Sequence, residues 1–220
     1  MLVVIILSLI SSTHASSFPI ECPKCGNLDV PYPLSTGDNC GNFNYKLYCN
    51  NNSLEFPSAE GFYYQILSIN PNENRLIISP PLIQNNTCQS SDLSLGGLRI
   101  NETSPFNISS RNTVMLFNCS GTILLSPLNC SSTSPCRLFE ERVKEGKGCQ
   151  NTLCCSYLKD SSMTSRHIRV RIGGCSAYTS VVAMKSGDSI DDWQFGIELQ
   201  WLPPTEIVHF KIDRVLGIIP

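Results

Sequence analysis

The sequence predicts a mainly β, disulfide-rich fold: two small cysteine-rich modules, with one short helix in the second. Three observations predict it. Twelve cysteines stand in 220 residues, all of them beyond an apolar N-terminal stretch that reads as a secretion signal. Short apolar runs are punctuated by Asn, Pro and Gly, the pattern of brief strands joined by turns. Two stretches, His167 to Ile172 and Trp193 to Trp201, alternate at period two, the period of a half-buried strand.

Taken in order, the chain opens with Met1 and LVVIILSLI, then small polar residues ending in Thr13-His14-Ala15. This is the plan of a signal peptide over residues 1–15, cleaved after Ala15, although no Lys or Arg precedes the apolar run. Cys22 to Cys49 follows, with four cysteines and with Pro31 and Pro33 flanking Tyr32. Proline fixes φ and lacks an amide donor, so this segment is neither helix interior nor central strand, and cross-links give it shape. Gly61 to Ile69, Arg75 to Ser79 and Val114 to Phe117 read as strands.

Ser134 as a cap, Pro135 at the first helical position and Gly146 as a stop predict a helix along CRLFEERVKE, with Phe139 and Val143 on its buried side. In Trp193–Trp201 the residues Trp193, Phe195, Ile197, Leu199 and Trp201 share one face, so a single nine-residue strand of about 30 Å is expected as the spine of the second half. The blocks divide into modules at 22–121 and 128–204, followed by a tail at 205–220. That tail carries Lys211, Asp213 and Arg214, which argue against a membrane span.

Cysteine arithmetic supports two halves. Cys22, Cys25, Cys40, Cys49, Cys88 and Cys119 precede the Leu124-Leu125 region, and Cys130, Cys136, Cys149, Cys154, Cys155 and Cys175 follow it. Each set is expected to close its own bridges, within 22–119 and 130–175, leaving 15 connectivities open per half. The adjacent Cys154 and Cys155 are expected to staple two different segments. Cys22-Pro23-Lys24-Cys25 has zinc-knuckle spacing but no matching second pair, so it reads as structural disulfide chemistry. Six asparagines head N-x-S/T sequons and are candidate glycosylation sites: Asn51, Asn85, Asn101, Asn107, Asn118 and Asn129.

A net charge of −2 with 15% charged residues excludes a nucleic-acid partner, which selects for a basic surface. No G-x-S-x-G, P-loop, G-x-G-x-x-G or H-E-x-x-H motif occurs, and the mature chain holds two histidines, His167 and His209. The acidic pairs Glu140-Glu141 and Asp191-Asp192 read as solvated, one on a helix face and one in a loop. No catalytic residue, resident metal or cofactor is therefore expected. Binding candidates remain. Tyr32, Tyr45, Tyr48, Tyr63 and Tyr64 suit stacking on sugar rings. Along HIRVRI, Ile168, Val170 and Ile172 face a core while His167, Arg169 and Arg171 face out, with Arg166 adjacent. Arginines two apart on a strand stand about 7 Å from each other, a spacing suited to successive carboxylates of a polyanion.

The ordered blocks CPKCG, VPYPLSTG and CGNFNYKLYC, then SPFNISSRNTVMLFNCS and SPLNCSSTSPC, then the paired cysteines, IRVRIGGCSAYTSVV and WQFGIELQW resemble the ectodomains of plant wall-associated receptor kinase-like proteins. The likeness covers roughly residues 22 to 204: a galacturonan-binding domain followed by the C-terminal wall-associated-kinase domain, without the transmembrane and kinase segments. The resemblance implies a secreted or apoplastic glycoprotein that binds pectin or oligogalacturonides, an acidic cell-wall polysaccharide. Arg166, His167, Arg169 and Arg171 are the expected ligand-binding residues, with His167 adding charge near pH 5–6. Calcium bridging between pectin and Asp191 or Asp192 is the competing mode. The alternative function is recognition of a receptor or peptide partner without sugar affinity.

Overall fold

A computed structural model describes residues 20–84, 87–125, 128–157, 163–171 and 174–204. The expected signal peptide, Asn85, Ile172 and the tail lie outside these. The first two strands, β1 (Cys22–Cys25) and β2 (Leu28–Val30), form a small hairpin. A cis Tyr32–Pro33 bond and a 3₁₀ turn at Phe43–Tyr45 then carry the chain into β3 (Tyr48–Asn50). Gly41 is required here, because a Cβ at its φ of +65° would lie 2.1 Å from the Leu34 carbonyl oxygen.

Two larger antiparallel sheets form the body. In the first, β3, β4 (Ser53–Pro57), β5 (Tyr63–Asn70) and β6 (Arg75–Ile78) meander in sequence order. After a minor hairpin of β7 (Ile83–Gln84) and β8 (Gln89–Ser90), β9 (Phe106–Ile108) returns to the far edge of that sheet. The second sheet is built around β10 (Asn112–Phe117), which lies between β12 (Cys155–Tyr157) and β13 (Ala177–Val182). Its outer strands are β11 (Leu128–Asn129) and β14 (Gln194–Phe195).

The mainly β, disulfide-rich class is what the structure shows. The strands expected near Gly61–Ile69, Arg75–Ser79 and Val114–Phe117 are β5, β6 and β10, within a few residues at their ends. Alternation on β4 and β5 turns Leu54, Phe56, Tyr64 and Ile66 into the main core. Val114 and Leu116 face that core, whereas Met115 and Phe117 face a smaller one beneath the helix. Cover on both faces explains why β10 reads as a continuous apolar run.

The helix α1 (Pro135–Arg142) starts where expected, with Ser134 as N-cap and Pro135 next to it. Phe139 anchors it, 5.3 Å from Phe117 and 5.7 Å from Phe195 between ring centroids. It ends at Arg142; Val143 is extended, and Lys144–Cys149 then form a 3₁₀ helix. One expectation on this helix is corrected. Glu140 is not solvated but buried, ion-paired with Arg137 one turn earlier. Its pKa is raised by burial, with Arg137 opposing the shift.

The expected nine-residue strand is also corrected. Gly196 breaks it, at φ +156°. Gln194–Phe195 pairs with β13 in the second sheet, whereas β15 (Ile197–Trp201) leaves for the first, between β6 and β9. A Cβ on Gly196 would stand 2.3 Å from the Ile77 Cγ2. Only glycine lets the chain pass so close to β6 while changing sheets. Trp193 and Trp201 are both buried, but in different cores.

All twelve cysteines are bridged, and the independently closed halves are overturned. Cys22–Cys40 and Cys25–Cys49 close the opening segment, and Cys130–Cys155 and Cys136–Cys154 hold the second half. Cys154 and Cys155 do staple different segments. Yet Cys88–Cys149 and Cys119–Cys175 cross from the first set to the second. The topology gives the reason. β10 belongs by sequence to the first half but forms the middle of the second sheet, and β15 makes the reverse exchange. Cysteines near these strands therefore face partners from the other half.

Candidate functional site

Two tyrosines converge on a single buried carboxylate behind the candidate face. Tyr64 on β5 and Tyr178 on β13 both donate to Oδ2 of Asp92, at 2.6 and 2.7 Å. Burial, reinforced by the Asp92 charge, pushes both phenols well above their ordinary pKa. The Tyr178 hydroxyl also accepts the Leu98 amide at 3.2 Å. The segment Gly96–Ile100 is thus fastened to the core by a fixed polar cluster.

That segment is the partner of the HIRVRI stretch. The Ile168 amide donates to the Leu98 carbonyl, the Ile100 amide to the Arg166 carbonyl and the Val170 amide to the Gly96 carbonyl, at 2.8–3.3 Å. The pairing is antiparallel and irregular, an isolated bridge at Arg99 and His167 and not the regular strand the alternation suggests. The side-chain sense is nevertheless as expected. Leu98, Ile100, Ile168 and Val170 are buried, whereas Arg99, Arg169 and Arg171 are exposed.

The four sequence-predicted residues divide. Arg169 and Arg171 lie on the exposed side. Arg166 is half-buried, its Nη1 contacting the carbonyl oxygens of Asn101, Ser104 and Phe106 at 3.2, 2.8 and 2.6 Å. That guanidinium nitrogen clamps the loop leading into β9. His167 is half-buried, with Nε2 enclosed and without a hydrogen-bond partner. Burial, then the charges of Arg169 and Arg99, lower its pKa below the usual imidazole value. The expected cationic help from His167 near pH 5–6 is correspondingly reduced.

Arg99 is the residue that sequence reasoning missed. It pairs with Glu60 at 3.1 Å and stands opposite His167. A signal was available: Leu98-Arg99-Ile100 repeats the apolar–arginine–apolar pattern of Ile168-Arg169-Val170. The edge so formed presents Arg99, Arg169 and Arg171, tempered by Glu60. It joins the turn between β4 and β5, where the Ala59 amide donates to the Arg99 carbonyl at 2.8 Å.

Asp191 and Asp192 lie exposed in a 3₁₀ turn at Ile190–Asp192, before β14. Among the described residues no group of three His, Cys, Asp or Glu side chains is placed to hold a metal ion, so calcium there would need ligands from elsewhere. Also among them, no helix is long and apolar enough to cross a membrane. Of the sequons, Asn51, Asn101 and Asn118 are exposed. Asn101 and Asn129 each accept the backbone amide and hydroxyl of the residue two ahead, Thr103 and Ser131.

A disulfide-braced β module with an arginine-bearing edge has the build of a recognition domain. Comparison with known proteins gives the particular kind. Residues 22–80 match the wall-associated receptor kinase galacturonan-binding family. Over 197 residues, 86% of this chain and 30% of the relative, it is 39% identical to wall-associated receptor kinase-like 20 of Arabidopsis thaliana. It is 35% identical to wall-associated receptor kinase-like 15 of the same plant, across 86% of this chain and 31% of that protein. The resemblance to wall-associated receptor kinase-like proteins thus covers most of the chain, which spans under a third of those relatives' length. No solved structure matches it.

Proposed function

We propose that the chain is a secreted, apoplastic, non-enzymatic glycoprotein that binds acidic pectin, with Arg99, Arg169 and Arg171 taking the carboxylates. The galacturonan-binding match at 22–80 carries this reading. The cationic edge supports it by being bonded to that same region through Ala59 and Arg99. Arg166 acts by positioning the loop that backs the edge. His167, its pKa lowered by burial and by Arg169 and Arg99, adds less charge to the edge than a free imidazole would.

Exposed guanidinium–carboxylate pairs are each worth ~1 kcal/mol or less. Useful affinity therefore comes from several pairs along one polymer, and length and salt both matter. The test is oligogalacturonide binding to an Arg169→Ala/Arg171→Ala variant, with and without a calcium chelator. A weakened variant supports the edge. Wild-type affinity in the folded variant removes it, and loss on chelation alone moves the site to calcium.

A second reading, recognition of a peptide or receptor partner without sugar affinity, draws on one observation. A groove of about 580 Å³ is lined by Pro135, Leu138, Met184 and Trp193 among polar neighbours, a lining suited to apolar side chains of a partner.

A further inference from the structure

We propose that the outer face of β3–β5, centred on Tyr48 and Tyr63, is a second saccharide subsite, one that stacks pyranose rings and takes the uncharged, methyl-esterified stretches of a galacturonan. It rests on the galacturonan reading above and divides the polymer between two adjoining surfaces.

On β4 and β5 the inward residues Leu54, Phe56, Tyr64 and Ile66 are buried, and the outward set of the three strands is Tyr48 and Asn50 on β3, Glu55 and Pro57 on β4, Tyr63 and Gln65 on β5. Solvated sheet faces ordinarily carry charge. Here two aromatic rings dominate. Tyr48 and Tyr63 lie 5.3 Å apart between centroids, at 89°, and Tyr63 is 46% exposed. The ammonium of Lys46 sits 5.6 Å from the Tyr48 ring centre. The Glu55 carboxylate accepts from the Asn50 amide at 2.7 Å.

One cation and one anion leave this face without a net charge to attract or hold a polyanion. It offers instead π surface flanked by amides. Ring C–H groups of a pyranose carry slight positive charge and pack against aromatic faces, while its hydroxyls exchange hydrogen bonds with Asn and Gln side chains. An uncharged sugar loses little by leaving water for such a surface, whereas an ionised carboxylate loses much more.

Position ties this face to the arginines. Tyr63 pairs with Pro57 across the sheet. The Ser58 amide bonds back toward β5 at Phe62, and the next amide, Ala59, bonds outward to Arg99. Arg99 in turn pairs with His167. The turn between β4 and β5 thus links the strands that carry the aromatic rings to the Arg99 and Arg169 segments. A galacturonan with esterified and free stretches meets both surfaces along one run.

The experiment titrates the folded protein with two probes, fully methyl-esterified pectin and de-esterified oligogalacturonide. Variants are Tyr48→Ala/Tyr63→Ala, Tyr63→Phe and Arg99→Gln/Arg171→Gln, each checked by its thermal melt. For the tyrosine double variant, affinity for the esterified probe should fall about tenfold, while the de-esterified probe stays within about twofold. Tyr63→Phe should retain binding, and the arginine variant should show the reverse selectivity. Unchanged affinity for the esterified probe in the folded double variant, or equal loss for both probes, overturns the subsite. Wild-type protein that binds only the esterified probe defeats the arginine edge but not this face. Silence toward the esterified probe does the opposite.

Discussion

Asn112 and Glu198 hold each other through a reciprocal pair of hydrogen bonds between the two sheets. The Asn112 Oδ1 accepts the Glu198 amide at 2.7 Å, and its Nδ2 donates to the Glu198 carbonyl at 2.9 Å. Asn112 opens β10 and Glu198 lies on β15, the two strands that each half lends to the other. Truncation takes away the partner of the buried Glu198 N–H, while the Glu198 carbonyl keeps the Ser109 amide at 3.0 Å. Asn112→Ala should therefore destabilise the fold by about 1–3 kcal/mol, read as a lower urea midpoint at unchanged slope.

The exchange of strands also governs what folds alone. Residues 22–121 lack β15, the strand that fills the gap between β6 and β9. Expressed by themselves they should show poor amide protection and exposed apolar surface, and recovery of a cooperative melt would contradict the exchange. Peptide mapping of the whole protein should find Cys88–Cys149 and Cys119–Cys175. Removing the latter pair by Cys119→Ala/Cys175→Ala should cost about 2–5 kcal/mol, as expected for a long closed loop.

At Gly196 the expected effect is steric. A methyl group there meets Ile77 and also strains a backbone conformation that glycine tolerates. Gly196→Ala should cost about 1–3 kcal/mol, and combined with Ile77→Ala, which removes the contact, it should cost less than the two single changes added together. A neutral single variant, measured by thermal unfolding, would show that the crossover tolerates a side chain.

Much of the architecture was legible because alternation reports which side of a strand is buried. Short apolar runs between turn residues placed β5, β6 and β10, and alternation put Ile168 and Val170 inward with Arg169 and Arg171 outward. It carries no information on which sheet a strand joins. Trp193 to Trp201 kept its period straight through Gly196 while the chain changed partners, and the cysteine pairing followed that unseen exchange. The candidate site was half legible for a related reason. Arg166 and Arg169 look alike in sequence, yet the carbonyls that claim the Arg166 guanidinium come from a loop about sixty residues away. Glu140 likewise looked solvated until Arg137 and the packing of α1 were in view.

His167 gives a pH dependence with a definite sign. Its folded pKa is depressed by burial and by Arg169 and Arg99, so the folded state resists taking up a proton. Its contribution to stability is complete above the unfolded histidine value of about 6.5 and is lost as pH falls from there through the folded pKa. His167→Gln should flatten the acid side of the stability profile below about pH 6.5. An unaltered profile would show that another group sets it.

Isothermal titration of the wild-type protein with de-esterified oligogalacturonides of increasing length, at low and at moderate salt, tests the central claim most directly. Binding through several weak arginine–carboxylate pairs predicts affinity that climbs steeply with chain length and falls as salt is added. Affinity independent of both, or no binding to any length, would contradict it.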